Sequence, residues 1–199
     1  MVGLPKKLPT LVPTVDALGD GELVERALAG DRWSRDVLYR RHAHYLLAIA
    51  SRLLASRGEG EEVVQDTFVV GFEQLGTLRD HAAVRGWLAQ ITVSLVRRRL
   101  RRRKLLRLLG LDSDRDATLE RLASPSLRPD DRAELALVDL VLKKMPADLR
   151  IAWMLRKVEG LALPEVASAC ACSLATIKRR IAAADVEMAR HVALPGESP

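Results

Sequence analysis

The residues that could do chemistry in this 199-residue sequence are mostly cations, and one group of them follows a short turn near the C-terminus. The segment GLALPEVASACACSLATIKRRI, residues 160–181, reads as a short helix, a three-residue turn and a second helix that Ser173 can cap. The first turns of that second helix expose Thr176, Lys178, Arg179 and Arg180. Such side chains can meet base edges and phosphates in a major groove, so the segment predicts a DNA-binding helix-turn-helix.

The opposite side of the same segment is apolar. The positions that would face inward between its two helices are Val166, Ala167, Cys170, Cys172 and Ile177. An ordinary helical hairpin with a solvated basic face is the alternative, and the single register of cap, turn and outward cations favours DNA binding. Because both cysteines fall on inward positions, we interpret them as small core residues rather than as a redox switch.

A second group of cations occupies residues 97–104, where seven of eight residues are Lys or Arg. On a helix, one face is lined by Gln90, Ser94, Arg97 and Arg101, and the apolar face opposite begins at Trp87. Cations near the C-terminal dipole of a solvated helix are the alternative, and they would account for one or two arginines. We interpret the stripe as a surface that follows nucleic-acid phosphates.

A third segment, EEVVQDTFVVGFEQL at residues 61–75, has Phe68 and Phe72 on its core side. Its other side is a polar, acidic edge made of Glu62, Gln65, Asp66 and Glu73. The protein carries a formal net charge of +6, so this edge stands out, although alone it predicts only an amphipathic helix.

The sequence lacks the residue patterns that are typical of catalytic sites and metal sites. We find no paired carboxylates in a cleft-like context, no Ser/His/Asp order, no phosphate loop and no metal-ligand cluster, so we expect neither an enzyme, a metal nor a cofactor. Cys170 and Cys172 are too close in sequence for an ordinary disulfide, which favours a reducing compartment. No apolar run approaches the ~20 residues of a membrane span, and we expect a cytoplasmic protein without membrane insertion.

The elements that must position these residues are helices. Aromatic residues make up 4% of the chain and apolar residues recur at helical spacing, which predicts an all-α fold of two small helical domains joined by a flexible linker. Asp31 can cap one helix, Gly58 and Gly60 break the chain before another begins at Glu61, and Gly160 fits a left-handed helix end. The predicted divisions are a disordered tail 1–19, a first domain 20–104, a linker 105–131, a second domain 132–194 and a tail 195–199.

Taken in order, the segments resemble the extracytoplasmic-function sigma factors of bacterial RNA polymerase. EEVVQDTF resembles that family's acidic-Val/Leu-Val-Gln-acidic-Thr-Phe signature, and VRGWLAQITVSLVRRRLRRR resembles its Phe-Arg-Ala-Trp-Leu motif with the basic helix that follows. LVERALAGDRWSRDVLYRRH resembles the family's opening helices, and LPEVASACACSLATIKRRI its helix-turn-helix. The resemblance implies a sigma-two-like helical bundle followed by a sigma-four-like domain.

The resemblance also implies partners and a division of labour. Core RNA polymerase would be bound by Glu62, Gln65 and Asp66. The minus-ten promoter element would be met by Gln90, Ser94, Arg97, Arg98 and Arg101, with a flipped base held by the loop 76–84 as the DNA melts. The minus-thirty-five element would be met by Ser173, Thr176, Lys178, Arg179 and Arg180. An anti-sigma factor is the further partner that the family implies.

The sequence departs from the family pattern at several positions. Arg35 stands where the family usually has a buried Phe, and Ala162 lacks the usual capping hydroxyl. Ser94 and Arg98 replace an Asn and an Asp, so no base preference is carried over there. The rival interpretations are a regulator with a helical sensor domain and a helix-turn-helix, an enzyme, and a protein-interaction module. Binding to core polymerase separates the first rival from a sigma factor, and the two basic surfaces argue against the last.

Overall fold

The computed structural model describes residues 18–109 and 129–192, and within those two ranges the regular structure is helical throughout. The helices are α1 Asp20–Leu28, α2 Arg32–Leu54, α3 Arg57–Gln74, α4 Val84–Leu108, α5 Pro129–Lys144, α6 Ala147–Trp153, α7 Leu163–Ala169 and α8 Leu174–Val192. The prediction of an all-α fold is confirmed. Most of the predicted N-terminal tail and linker, and all of the predicted C-terminal tail, lie outside the described residues, so those divisions stay predictions.

Several helix ends have the polar residues that the sequence predicts. The Asp31 carboxylate accepts the Trp33 amide at 3.0 Å at the start of α2, and Ser173 Oγ accepts the Thr176 amide at 3.2 Å at the start of α8. Gly160 has φ +70° after the helical segment that precedes α7. Ala162 has no hydroxyl, but the side chain of Glu165 accepts the Ala162 amide at 2.7 Å and stabilises the start of α7 instead.

The prediction that Gly58 and Gly60 break the chain is wrong, because both lie inside α3, which begins at Arg57. Ser56 caps this helix by accepting the Glu59 amide at 3.4 Å. Gly60 is needed for close packing rather than for a break, since a Cβ there would lie 2.3 Å from the Ser51 Oγ and 2.9 Å from the Ser51 amide nitrogen of α2. The glycine therefore lets α2 and α3 approach each other closely.

Helices α1–α4 form the first block, whose core is made of aliphatic side chains from all four helices. Leu23, Leu46 and Ile49 are fully buried, and Phe68 of α3 packs on the Tyr39 ring at a centroid distance of 4.7 Å. A buried polar contact joins α3 to α4, where the hydroxyls of Thr67 and Thr92 lie 3.1 Å apart. This packing fixes how α3 and α4 present their outer faces.

Arg35 shows how the first block accommodates a cation at a position where the resemblance leads us to expect a buried Phe. Its side chain is exposed, the guanidinium donates to the Ala27 carbonyl at 3.3 Å, and it lies 5.7 Å from the centre of the Phe72 ring. The arginine covers the edge of the core from outside instead of filling it.

Helices α5–α8 form the second block. Its core contains Leu142, Ile151, Leu155 and Ile177, all fully buried, and α6 continues into a π-helical segment, Met154–Val158. The Trp153 indole donates to the Asp185 carboxylate at 3.0 Å and ties this segment to α8. In the two described ranges, no helix combines the length and the apolar character that crossing a membrane requires.

The two blocks contact each other, which the sequence did not predict. The Gln90 amide of α4 donates to the Ser168 hydroxyl of α7 at 2.9 Å, and Arg52 of α2 pairs with Glu159. Arg97 of α4 pairs with Asp148 of α6 at 2.8 Å. These contacts place Gln90 and Arg97, two residues of the predicted basic face of α4, against the second block.

Candidate functional site

The helix-turn-helix is formed by α7, the turn at residues 170–173 and α8. Ala171 adopts a left-handed conformation with φ +50°, and its amide donates to the Ser168 carbonyl at 2.9 Å. Val166 and Ile177 are fully buried between the helices. This core fixes α8 against α7 and leaves Ser173 and Leu174 at the start of α8 exposed.

Of the polar side chains predicted to face outward on α8, some are exposed and one turns inward. Lys178 and Arg179 are exposed, and Thr176 is half-buried with its hydroxyl 2.9 Å from the Ser173 Oγ. Arg180 turns inward, where its guanidinium donates to the Asp148 carboxylate at 3.1 Å and to the Cys172 sulfur at 3.6 Å. Three of the four outward side chains predicted on α8 are thus available to a ligand at the surface.

The predicted basic face of α4 also contains both exposed residues and residues that contact the second block. Ser94, Arg98 and Arg101 are exposed. Gln90 and Arg97 contact the second block, and the Arg97 side chain keeps 20% of its surface exposed. The Arg97 guanidinium also donates to the Cys170 carbonyl at 3.3 Å.

The cations of residues 97–104 point in different directions from α4. Arg99 points to α3, where it pairs with Glu62 at 2.7 Å and with Asp66 at 3.3 Å. Arg103 also points to α3 and pairs with Glu59. The helical period of 3.6 residues turns successive arginines toward α3, the second block and solvent in turn.

The structure contains the acidic edge that the sequence predicts on α3. Glu62, Gln65 and Asp66 are all exposed on one face, and the side chains of Glu62 and Asp66 keep 66% and 57% of their surface. Burial acts to lower the pKa of Arg99, but its hydrogen bonds and charge contacts with Glu62 and Asp66 outweigh this and raise the pKa. The pairing holds both carboxylates in place while leaving them open to a partner.

Asp148 is the residue that reasoning from the sequence missed. It lies in the first turn of α6, two residues after Pro146, and its two carboxylate oxygens pair with Arg97 and Arg180. Nothing in the local pattern distinguishes it from any other acidic residue in a first helical turn. Its partners are 51 and 32 positions away in the sequence, and only the packing of the blocks brings them together.

The two cysteines are free thiols within the helix-turn-helix. Burial, with a contribution from the nearby Cys172, raises the pKa of the Cys170 thiol to about 11. A buried, protonated thiol is a packing group rather than a nucleophile, which agrees with the interpretation from the sequence. Among the residues that the structure describes, no three His, Cys, Asp or Glu side chains are grouped as metal ligands.

Comparison with known proteins identifies similar sequences. The family described as Sigma-70 region 2 matches residues 38–105. The RNA polymerase sigma-H factor of Pseudomonas aeruginosa is 30% identical over 170 residues, which cover 81% of this chain and 88% of that protein. The ECF RNA polymerase sigma-E factor of Escherichia coli K12 is 27% identical over 173 residues, covering 83% of this chain and 90% of that protein.

Two solved structures share the fold. CnrH, determined in complex with the cytosolic domain of CnrY, has a TM-score of 0.60 at 23% identity, with 86% of this chain and 95% of that chain covered. The sigma factor RpoE from Bartonella quintana, determined in complex with the anti-sigma factor NepR, has a TM-score of 0.56 at 21% identity, with 79% and 96% covered. The region 2 match includes α3 and nearly all of α4, whose outer faces are the acidic edge and the divided basic face.

Proposed function

The chain belongs to the extracytoplasmic-function RNA polymerase sigma factors, and from that premise we propose which of its surfaces bind polymerase and which bind promoter DNA. As a member of this family it is a transcription initiation factor that binds core RNA polymerase and directs it to promoters. The observation that carries the proposal is the presence of separate acidic and basic surfaces on α3, α4 and α8. We infer that the protein acts by binding and not as an enzyme.

The polymerase-binding surface is the acidic edge of α3, made of Glu62, Gln65 and Asp66. Its support is the exposure of these side chains and the way Arg99 holds the two carboxylates on one face. Glu62→Lys with Asp66→Lys reverses both charges, so we expect a loss of core polymerase binding in a pull-down. Helicity measured by circular dichroism should be unchanged, because both side chains lie on the surface.

The matched control for that experiment is Glu22→Lys with Asp36→Lys. Each of these acids is also exposed and also pairs with an arginine, Arg26 and Arg40, on its own helix. The control changes the net charge by the same amount away from α3. Equal polymerase binding by both double variants would contradict the assignment of the α3 edge.

The DNA-binding elements are α8 and α4. We propose that α8 enters the minus-thirty-five element through Ser173, Thr176, Lys178, Arg179 and Arg180. The minus-ten side is met by Gln90, Ser94, Arg97, Arg98 and Arg101 of α4. Lys178 is exposed and acts on a phosphate, so Lys178→Gln in the reconstituted holoenzyme should lower the salt dependence of promoter binding by about one unit of slope. An unchanged slope would exclude Lys178 from the DNA interface.

Two further expectations belong to the same proposal. The polymerase that this protein serves is in the cytoplasm, so the protein acts there. We also propose an anti-sigma factor as a regulatory partner, supported by the structure of RpoE, which shares this fold and was determined in complex with the anti-sigma factor NepR. The rival interpretation, a sensor domain joined to a helix-turn-helix, requires DNA binding without polymerase. A purified chain that binds promoters specifically but never binds core polymerase would favour that rival.

A further inference from the structure

A small cavity of about 160 Å³ lies where the end of α4 meets the end of α5 and the start of α6. Every charged residue of the described ranges that lines this cavity is a cation, and there are five of them: Arg103, Lys104, Lys143, Lys144 and Arg150. We propose that this cationic cavity is a binding site for a small phosphorylated molecule, whose phosphate or diphosphate group is held by the five side chains.

The five cations come from three helices that are far apart in the sequence. Arg103 and Lys104 belong to α4, Lys143 and Lys144 end α5, and Arg150 lies in α6. Like charges that face each other across a small cavity repel, and an anion placed between them replaces that repulsion with attraction. The fold therefore brings together a charge distribution that favours an anion at its centre.

Burial strengthens the attraction of the cationic cavity for an anion. Arg150 is only 6% exposed, and the side chains of Arg103 and Lys143 keep 24% and 18% of their surface. The buried residues Leu54 and Met145 form part of the apolar wall. A cleft that combines one sign of charge with apolar walls focuses the electric field and concentrates counter-ions.

Two of the five cations are held at the wall by neighbouring groups. Arg103 pairs with Glu59 and also donates to the Leu54 carbonyl at 3.1 Å. Lys143 pairs at 3.1 Å with the buried carboxylate of Asp139. These acids neutralise part of the charge and hold the two cations in place before a ligand arrives.

The remaining lysines can move toward a ligand. Lys104 and Lys144 are exposed, and neither pairs with an acid in the part of the chain that the structure describes. Their flexible side chains can therefore contact an anion in the cationic cavity from opposite sides, while the guanidiniums of Arg103 and Arg150 can each donate two parallel hydrogen bonds to phosphate oxygens.

The size of the cationic cavity limits what it can hold. At about 30 Å³ for each water molecule, its volume corresponds to roughly five waters, and pockets for drug-sized ligands begin at about 300 Å³. A phosphate or diphosphate group is therefore a suitable occupant, and the rest of a larger molecule would stay outside. A nucleic-acid backbone is disfavoured, because its phosphates repeat along a groove whereas these cations surround one small volume.

The experiment is calorimetric titration of the full chain with pyrophosphate, and separately with inorganic phosphate, in a buffer that contains neither. The test variant is Lys104→Gln with Lys144→Gln, which removes one exposed cation from each block. The matched control is Arg57→Gln with Lys157→Gln, which also removes one exposed cation from each block, away from the cationic cavity. Circular dichroism checks that both variants stay folded.

The unmodified chain should bind one pyrophosphate, and more tightly than inorganic phosphate because more cations contact the larger anion. The test variant should weaken pyrophosphate binding at least tenfold, since it removes two hydrogen bonds between charged groups, and the control should change it less than twofold. Arg150→Gln should also weaken it at least tenfold. The surface variant decides the matter if replacing the buried Arg150 prevents folding.

The absence of pyrophosphate binding by the unmodified chain, or equal weakening in the test variant and the control, would overturn the site. A titration with duplex DNA of random sequence tests the other occupant. If the test variant lowers the salt dependence of duplex binding by about two units of slope and pyrophosphate does not bind, the lysines serve nucleic acid instead. Neither titration uses polymerase or a promoter, so the outcome is independent of the proposed function.

Discussion

Replacing Gly60 by Ala tests the close packing of α2 and α3, which sets the position of the acidic edge. Alanine is the better helix former, and in the interior of a helix it gains roughly 0.5–1 kcal/mol over glycine. At this position the new Cβ would lie 2.3 Å from the Ser51 Oγ and 2.9 Å from the Ser51 amide nitrogen. The second contact is with backbone, so α2 and α3 must move apart.

The magnitude follows from these two opposing effects. Overpacking of this kind costs about 1–3 kcal/mol, and a backbone contact belongs at the upper end of that range. After the gain in helix propensity, Gly60→Ala should lose about 2 kcal/mol of the free energy of unfolding. For a chain of this size that corresponds to a Tm lower by roughly 4–8 °C, measured by calorimetry or circular dichroism.

Two control variants separate the clash at Gly60 from the general effect of replacing a glycine in α3. A Cβ at Gly58, also in α3, would meet no atom within 4 Å, so Gly58→Ala should leave Tm unchanged or raise it. Adding Ser51→Ala to Gly60→Ala removes the clash with the hydroxyl but not the one with the amide nitrogen, so it should restore only part of the lost stability. A Gly60→Ala protein as stable as Gly58→Ala would refute the close approach.

Three further predictions concern buried polar groups. Thr67→Val removes a hydroxyl that donates to the Val63 carbonyl at 2.8 Å and lies 3.1 Å from the Thr92 hydroxyl, so denaturant titration should show a loss of about 1 kcal/mol. Burial lowers the pKa of His42 below its usual 6.5, although Asp20 opposes the shift. The unfolded chain then binds this proton more readily, so stability should fall as pH drops below about 6.5, and His42→Gln should flatten that part of the pH profile. Burial of Cys170, with its pKa at about 11, should make its alkylation by iodoacetamide at pH 8 slow until the protein unfolds, as peptide mass spectrometry would show.

The parts of the fold that could be predicted from the sequence are those encoded by neighbouring residues. Asp31 and Ser173 cap helices within three positions of themselves, and the buried side of the helix-turn-helix follows from the spacing of Val166 and Ile177. Such features depend on helix geometry and local hydrogen bonds, which a single segment contains in full.

The parts that could not be predicted depend on residues far apart in the chain. Gly60 looks like a helix breaker until Ser51 of α2 is placed against it. Arg97, Arg98 and Arg99 are equivalent in a basic run, but packing turns the first to Asp148, the second to solvent and the third to Glu62. Composition alone gives their charge, and only the arrangement of helices gives their partners.

Transcription reconstituted from purified components tests the central claim most directly. The chain is added to core RNA polymerase of the organism that encodes it, and the start sites on its genomic DNA are mapped. The account predicts starts at a defined set of promoters that appear only with the chain and are lost with Glu62→Lys and Asp66→Lys. The same starts with core polymerase alone, or none when the chain is added, would contradict it.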